Sequence, residues 1–170
     1  MNRVVTGFDE SGSPAVIWQG EPPTVIHAGR YTTTELWISD RAPLTAAATD
    51  ASTRDWQLEP PPGGACFRIV EIAPSALGSG RAGGDADAGA DAHADPDGTE
   101  GAHSEFQGAH ATDTLDYVTI LRGEVTLLVA GTEIVLRPGD SVVQQPGVAH
   151  DWQNRSSETA VMAGVLLSAR

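Results

Sequence analysis

The stretch Gly139–His150 reads GDSVVQQPGVAH and carries the strongest indication of the fold. It places a short apolar run, Ser141–Gln144, between two turn signals, PGD at its start and PGV at its end. Short runs rich in β-branched residues and bounded by Gly, Pro and Asp are typical of antiparallel strands. The stretch therefore predicts one strand with a tight turn on each side.

The same pattern continues in both directions along the chain. No segment has an apolar stripe of helical spacing, and Thr45–Thr53, which is rich in Ala and Thr, is interpreted as a loop. Short strands at regular spacing predict an all-β antiparallel sandwich or barrel. The predicted strands are Val4–Thr6, Ala15–Trp18, Glu35–Ile38, Cys66–Ile72, His110–Leu121, Val125–Val129, Glu133–Leu136, Ser141–Gln144, His150–Asn154 and Ala160–Leu167.

One segment differs sharply from the rest in composition. Ala82–Glu105 reads AGGDADAGADAHADPDGTEGAHSE and holds seven acids and no Lys or Arg. Gly, Ala and Asp bury too little apolar area to offset the entropy lost on ordering. We therefore predict a disordered acidic loop over residues 77–106, inserted between an amino-terminal part (1–76: the ribbon and first barrel strands) and a carboxyl-terminal part (107–170) of one structural domain.

Charge and cysteine content exclude several classes of function. The chain of 170 residues has ten Arg, no Lys and 23 acids, a net charge of −13. Without Ala82–Glu105 the net charge is −6, still far from the basic footprint that nucleic acids or anionic membranes require. Because Cys66 is the only cysteine, no internal disulfide can form. We expect a cytoplasmic protein that binds neither nucleic acid nor membrane.

Residues 108–154 resemble the cupin superfamily, a family of small jelly-roll barrels with two signature motifs. In the first motif, Gly108, His110 and Gly123 match the family pattern, whereas Thr112 stands at the second His position and Asp116 at the Glu position. In the second motif, the matching residues are Gly139, Gly147, His150 and Asn154, and the proline is displaced by one residue to 146.

The resemblance extends over nearly the whole chain, with the acidic loop as an apparent insertion. The phrases HxTxTLDY, VVQxxGxxHxWxN and PPPxGxxFRxVE are similar to a subgroup of single-domain cupins, the cupin type-2 barrels. The resemblance implies a cupin jelly roll, that is, a double-stranded β-helix barrel, with an amino-terminal β-ribbon. It implies little about activity, because this barrel hosts enzymes, binding proteins and storage proteins.

Strand geometry predicts a metal site inside such a barrel. Alternate residues of a strand share one face, so His110 and Asp116 point the same way, and His150 lies in the second motif. Two imidazoles and one carboxylate are a ligand set for Fe, Mn, Ni or Zn. The alternative is a metal-free site, in which His110 bonds to Asp116 or to Thr112, because the family's second His is missing.

Other side chains are candidates for substrate binding or for orienting the ligands. Thr112 and Gln144 could hold an imidazole in place, and Trp152 could form an aromatic wall or part of the core. Arg68 could anchor a substrate carboxylate, although we favour a salt bridge to Glu71 or to another acid at the sheet edge. The last candidate, Asn154, is expected to hold a turn or bond to backbone.

Three functions are compatible with these residues. The first is a metal-dependent enzyme acting on a small polar organic molecule, of the decarboxylase, isomerase, lyase or dioxygenase type. The second is a non-catalytic small-molecule-binding cupin with a degraded metal site. The third is a structural role in which the ribbon extends a neighbouring subunit's sheet. A homodimer is expected in each case, because exposed edge strands are usually covered, and no organic cofactor is expected.

Overall fold

The computed structural model describes residues 1–40, 50–75 and 108–170. These ranges contain strands, turns and irregular segments and no helix, so no helix that could cross a membrane occurs in them. The acidic loop predicted over 77–106 lies outside the described residues, and the loop predicted over Thr45–Thr53 is described only from Asp50 onwards, where it forms no strand. The strands are β1 Arg3–Phe8, β2 Pro14–Gly20, β3 Thr24–Ala28, β4 Tyr31–Ser39, β5 Ala65–Ile72, β6 Thr114–Arg122, β7 Val125–Val129, β8 Thr132–Leu136, β9 Ser141–Gln144, β10 His150–Gln153 and β11 Ala160–Ser168.

Two facing sheets form the body of the protein. The larger sheet has the strand order β3-β4-β5-β11-β6-β9, and the smaller one has the order β10-β7-β8. Neighbouring strands are antiparallel throughout. Buried apolar side chains of both sheets share one core, for example Ile72 and Ile120 from the larger sheet with Val125 and Trp152 from the smaller. The predicted all-β jelly roll is confirmed.

The interior face of the larger sheet follows the alternation of its strands. On β5, Cys66, Arg68, Val70 and Ile72 point inward, whereas Phe67 is exposed on the outer face. Strand β6 repeats the pattern, because its residues 114, 116, 118 and 120 are all buried. The period of two therefore decides which polar side chains enter the barrel.

The amino-terminal ribbon is a separate two-stranded sheet of β1 and β2. Arg3 ties it to the rest of the protein by donating hydrogen bonds to the carbonyl of Leu36 and to Asp50. Burial raises the pKa of Asp50, but hydrogen bonds from Ser52 and Arg3 and the Arg3 charge outweigh burial, so the pKa is lowered overall. The ribbon predicted from the sequence is thus present, and its anchor is an ion pair at its base.

Strand β3 and the first half of β4 were absent from the sequence prediction. Thr32, Thr33 and Thr34 follow one another in β4, and this polar run hides the alternation that marks a strand. In the structure Thr33 is buried opposite Val70, and β3 pairs with β4 at the edge of the sheet. A bulge between Glu35 and Trp37 then resets the register, which is why Glu35 and Ile38 both point inward.

Candidate functional site

A cavity of about 70 Å³ lies between the two sheets. Its polar wall includes both histidines of the signature motifs, together with Thr112, Asp116 and Arg68. Its apolar wall includes Trp152, Met162 and Leu166. Six of the eight side chains that the sequence singled out therefore line this cavity, namely these five polar residues and Trp152. The other two, Gln144 and Asn154, do not line it.

Local chain geometry explains how the two histidines meet. His110 precedes β6 and pairs with His150 of β10 as an isolated bridge, with reciprocal backbone N–H to carbonyl hydrogen bonds of 3.0 and 2.9 Å. The two ring centroids are 4.4 Å apart. Thr112, Thr114 and Asp116 follow His110 at alternate positions, and all three are buried. The predicted common face of this segment is therefore present in the structure.

Both ring nitrogens of His150 have protein partners. Nδ1 lies 3.0 Å from the carbonyl oxygen of Val148, to which it donates its hydrogen. The side-chain amide nitrogen of Gln144 lies 2.7 Å from Nδ1 and 2.8 Å from Nε2, so it contacts both ring nitrogens. Burial lowers the pKa of His150, which keeps the ring neutral. The His150 ring is therefore already in contact with Gln144 and with Val148.

Asp116 is one of the polar residues of the cavity wall that have an atom without a hydrogen-bond partner among the described residues. Its side chain is buried and accepts a hydrogen bond from Thr114. The other carboxyl oxygen, Oδ1, is buried without a hydrogen-bond partner among the described residues. Burial raises the pKa of Asp116, opposed by the Thr114 hydrogen bond and by the charges of Arg68 and His110. Such an oxygen requires a donor from a bound molecule or from water.

The arrangement of these side chains does not fit a metal ion. Across residues 1–40, 50–75 and 108–170, no three His, Cys, Asp or Glu side chains are grouped so that they could hold one. An ion bound to His150 would also have to compete with the contacts of this ring to Gln144 and Val148. The cupin fold often holds metals, but the ligand set His110, Asp116 and His150 stays a prediction here.

Arg68 lies inside the barrel and forms a salt bridge with an acid other than Glu71. Its Nη2 is 2.9 Å from Glu35 Oε1 in a pair whose side chains are 4% and 1% exposed. Nη1 donates to the carbonyl of Leu58 at 2.9 Å. The expected salt bridge is present with another acid in place of Glu71, but the expected position at a sheet edge is wrong, because β5 lies between β4 and β11. Arg68 points inward on β5, and of the two neighbouring strands only β4 has a buried acid, since β11 has no acidic residue.

Glu35 and Trp56 were missed by sequence reasoning. Trp56 donates a hydrogen bond of 3.0 Å to Glu35 and lies under the Arg68 guanidinium, 5.8 Å from it. Burial raises the pKa of Glu35, and the Arg68 charge and the Trp56 hydrogen bond oppose that rise. Glu35 alternates with the buried residues Tyr31 and Thr33 along β4. This alternation could have indicated an inward Glu35, but only if the strand had been predicted to begin at Tyr31.

The remaining candidates have structural partners. Asn154 donates hydrogen bonds of 2.7 Å to the carbonyls of Ile72 and Glu158, so it fixes the turn between β10 and β11. Thr112 shares a hydrogen bond of 2.8 Å with Thr114 at the cavity wall. Cys66 is buried, and burial raises the pKa of its thiol to about 11, which makes it a poor nucleophile.

Comparisons with known proteins agree with this fold. A family model described as a cupin domain matches residues 99–167. The cupin domain of Cnp3 from Schizosaccharomyces pombe is similar, with a TM-score of 0.52, 8% identity and coverage of 98% of this chain and 87% of that chain. A Cupin 2 conserved barrel domain protein from Salinispora arenicola has a TM-score of 0.49, 13% identity and coverage of 91% and 90%.

No curated protein matches this chain. At these levels of identity the solved structures speak for the fold and not for an activity, since cupin barrels host unrelated functions. The matched segment, 99–167, contains both signature motifs and the strands β6 to β11 apart from the last residue of β11. This segment of the chain therefore matches a cupin domain, and the two-sheet architecture of the described residues is that of a cupin barrel.

Proposed function

We propose that this cupin is a small-molecule-binding protein whose barrel cavity holds a compact polar molecule without the help of a metal ion. The observation that supports it is the Oδ1 atom of Asp116, a buried acceptor on the cavity wall that the described part of the chain leaves unpaired. Leaving such an atom unpaired costs about 1–3 kcal/mol. A bound molecule that donates a hydrogen bond there would recover that free energy.

The surroundings of this acceptor also favour binding over metal chemistry. His150 is neutral and in contact with Gln144 and Val148, so an ion would have to displace at least one of these contacts to bind the ring. Pockets for drug-sized ligands measure roughly 300–1,000 Å³. A cavity of about 70 Å³ takes only a molecule with a few non-hydrogen atoms.

A metal-dependent enzyme is the alternative function. Its support is that His110, Asp116 and His150 line the same cavity, as a ligand set would. For these three to bind one ion, Gln144 would have to leave His150 and the side chains would have to move closer together. Measured metal content of the untagged protein separates the two proposals. We also propose that the protein is cytoplasmic.

Filling the cavity should abolish binding and leave the fold intact. Gly164 lies on the cavity wall, and a Cβ built there would be 3.5 Å from Leu166 and 4.0 Å from Val118, which is ordinary contact. We expect a set of compact polar compounds to shift the NMR signals of Trp152 and Met162 in the wild-type protein. The Gly164→Ala variant should lose those shifts.

The matched control is Gly7→Ala in the ribbon. Its Cβ would meet only the exposed side chain of Ile17, with Cδ1 at 2.8 Å, Cγ2 at 3.3 Å and Cγ1 at 3.4 Å, and Gly7 does not line the cavity. This variant should keep the wild-type shifts. Equal shifts in wild type and Gly164→Ala would mean that the compounds bind elsewhere, and the proposed function would then be wrong.

We also propose that the protein is a homodimer that pairs the outer faces of two larger sheets. One apolar row crosses five neighbouring strands in register: Trp37, Phe67, Val165, Tyr117 and Val143. Tyr117 is 46% and Val143 is 59% exposed in the single chain. An uncharged row suits a two-fold interface, in which each patch meets its own copy.

A charge in this row should separate the two subunits. Tyr117→Glu would place two carboxylates against an apolar partner surface, so light scattering should show twice the chain mass for the wild type and the chain mass for the variant. Val135→Glu on β8 of the smaller sheet, where Val135 is 44% exposed, is the control that should remain dimeric. A wild-type protein of single-chain mass would rule out the dimer.

A further inference from the structure

We infer that the ligand of the barrel cavity is a compact neutral alcohol whose hydroxyl group donates a hydrogen bond to Asp116. The inference rests on the proposed binding function and specifies the chemical class that the cavity accepts. It starts from two unpaired polar atoms on the cavity wall, Asp116 Oδ1 and Arg68 Nε, which have no hydrogen-bond partner within the three described ranges.

Arg68 cannot serve as an anchor for a carboxylate. A bidentate contact needs two N–H groups on one edge of the guanidinium. Nη1 is already used by the carbonyl of Leu58, and Nη2 by Glu35, both at 2.9 Å. Nε is the one nitrogen of Arg68 that has no acceptor among the described residues, and a single N–H can be satisfied by any neutral oxygen.

The charges around the cavity also disfavour an anion. Arg68 and Glu35 form a buried pair whose charges offset each other. The carboxyl group of Asp116 is then the one acidic group on the wall itself, so a carboxylate ligand would meet a like group in a site of low dielectric. Burying a charged ligand without a full set of partners is costly.

An ammonium group fits less well than a hydroxyl. An ammonium has three donors and no acceptor, so it could bond to Asp116 but would leave Arg68 Nε unpaired and would lie near the guanidinium charge. A hydroxyl both donates and accepts. A hydroxyl group therefore matches both kinds of unpaired atom, the acceptor of Asp116 and the donor of Arg68, at a lower desolvation cost than a charged group.

The rest of the cavity suits a short hydrocarbon group. Trp152, Met162 and Leu166 form an apolar surface on the same wall, and all three are buried. The volume of about 70 Å³ limits that group to a few carbon atoms. Together, one hydroxyl and a short aliphatic chain match the polar and apolar parts of the wall.

Three probes of equal size test this class: 1-propanol, propylammonium and propionate, titrated separately while the indole N–H signal of Trp152 is followed by NMR. The expected order of affinity is 1-propanol, then propylammonium, then propionate, with at least a tenfold difference in Kd between the first and the last. Asp116→Val, which removes the acceptor, should weaken 1-propanol binding about tenfold, and Asp116→Asn, which keeps an acceptor oxygen, should restore most of it.

Each other outcome contradicts a specific part of the account. Tightest binding of propionate or of propylammonium would overturn the alcohol class and leave the binding function in place. Unchanged 1-propanol affinity in Asp116→Val would overturn the role of Asp116. If none of the three probes shifts Trp152 but the broader set of compact polar compounds does, the class alone is wrong. If neither does, the binding function is wrong as well.

Discussion

Replacing Arg68 by Met is expected to lower the free energy of unfolding by about 3–5 kcal/mol, because it leaves Glu35 as a buried charge without its partner. Glu35 is fully buried, and the carboxyl oxygen that does not face Arg68 has no hydrogen-bond partner within the described ranges. Trp56 alone would then bond to the carboxylate. Chemical denaturation of the two proteins at neutral pH measures the difference.

The loss should depend on pH in a defined direction. Burial already raises the pKa of Glu35 above its ordinary value of 4.5, and the charge of Arg68 opposes that rise. Removing the charge raises the pKa of Glu35 further in the folded variant only. Above pH 4.5 the folded variant then holds a proton that the unfolded chain has lost, so its stability falls as pH rises. The deficit relative to wild type is therefore smallest near pH 4.5.

Two further variants identify the cause of this loss. Adding Glu35→Gln to Arg68→Met removes the uncompensated charge and keeps an oxygen for Trp56, so it should recover most of the lost stability. Arg155→Met breaks the exposed pair with Glu133, whose side chains are about half exposed, and should have little or no effect. A double variant as unstable as Arg68→Met would show that packing of the guanidinium, and not its charge, accounts for the loss.

Replacing Gly64 by Ala is expected to lower the free energy of unfolding by about 3 kcal/mol or more, because the new Cβ would overlap backbone that cannot move alone. It would lie 2.2 Å from the carbonyl oxygen of Ser39 and 2.9 Å from that of Pro61. Gly64 also donates a hydrogen bond of 2.7 Å to Pro61, in a turn with Pro62 and Gly63 at its centre. The clash therefore reaches both the end of β4 and the turn before β5.

Thermal unfolding measures this effect, with a melting temperature that should drop by roughly 10 °C for a chain of this size. Gly164→Ala is the control, since its Cβ makes only ordinary contacts and adds a side chain to a strand. The control should unfold within a few degrees of wild type. If Gly64→Ala matches the control, the close approach of Gly64 to Ser39 is not a feature of the protein in solution.

Much of the fold could be predicted from the sequence because its strands alternate clearly. The motif strands β6 to β11 were identified, with boundaries that shift by a few residues, since turn residues separate them. Strand β3 and the start of β4 could not be predicted, because burial of Thr33 opposite Val70 depends on the neighbouring strand. A local pattern shows which residues alternate, whereas burial is decided by what packs against them.

The candidate site was predicted only in part, for the same reason. The alternation of side chains along one strand predicted that His110, Thr112 and Asp116 share a face, and in the structure all three line the cavity. The contact of Gln144 with His150 and the pairing of Arg68 with Glu35 join different strands. Such contacts depend on the register between strands, which a single sequence does not specify.

The central claim is that the barrel cavity binds a compact molecule through Asp116 and not through a metal ion. The most direct measurement is a high-resolution crystal structure of the untagged protein grown with 1-propanol. We predict electron density for the alcohol in the cavity, within hydrogen-bond distance of Asp116 Oδ1, and Gln144 still bonded to His150. A metal ion coordinated by His110, Asp116 and His150, with Gln144 displaced, would contradict it.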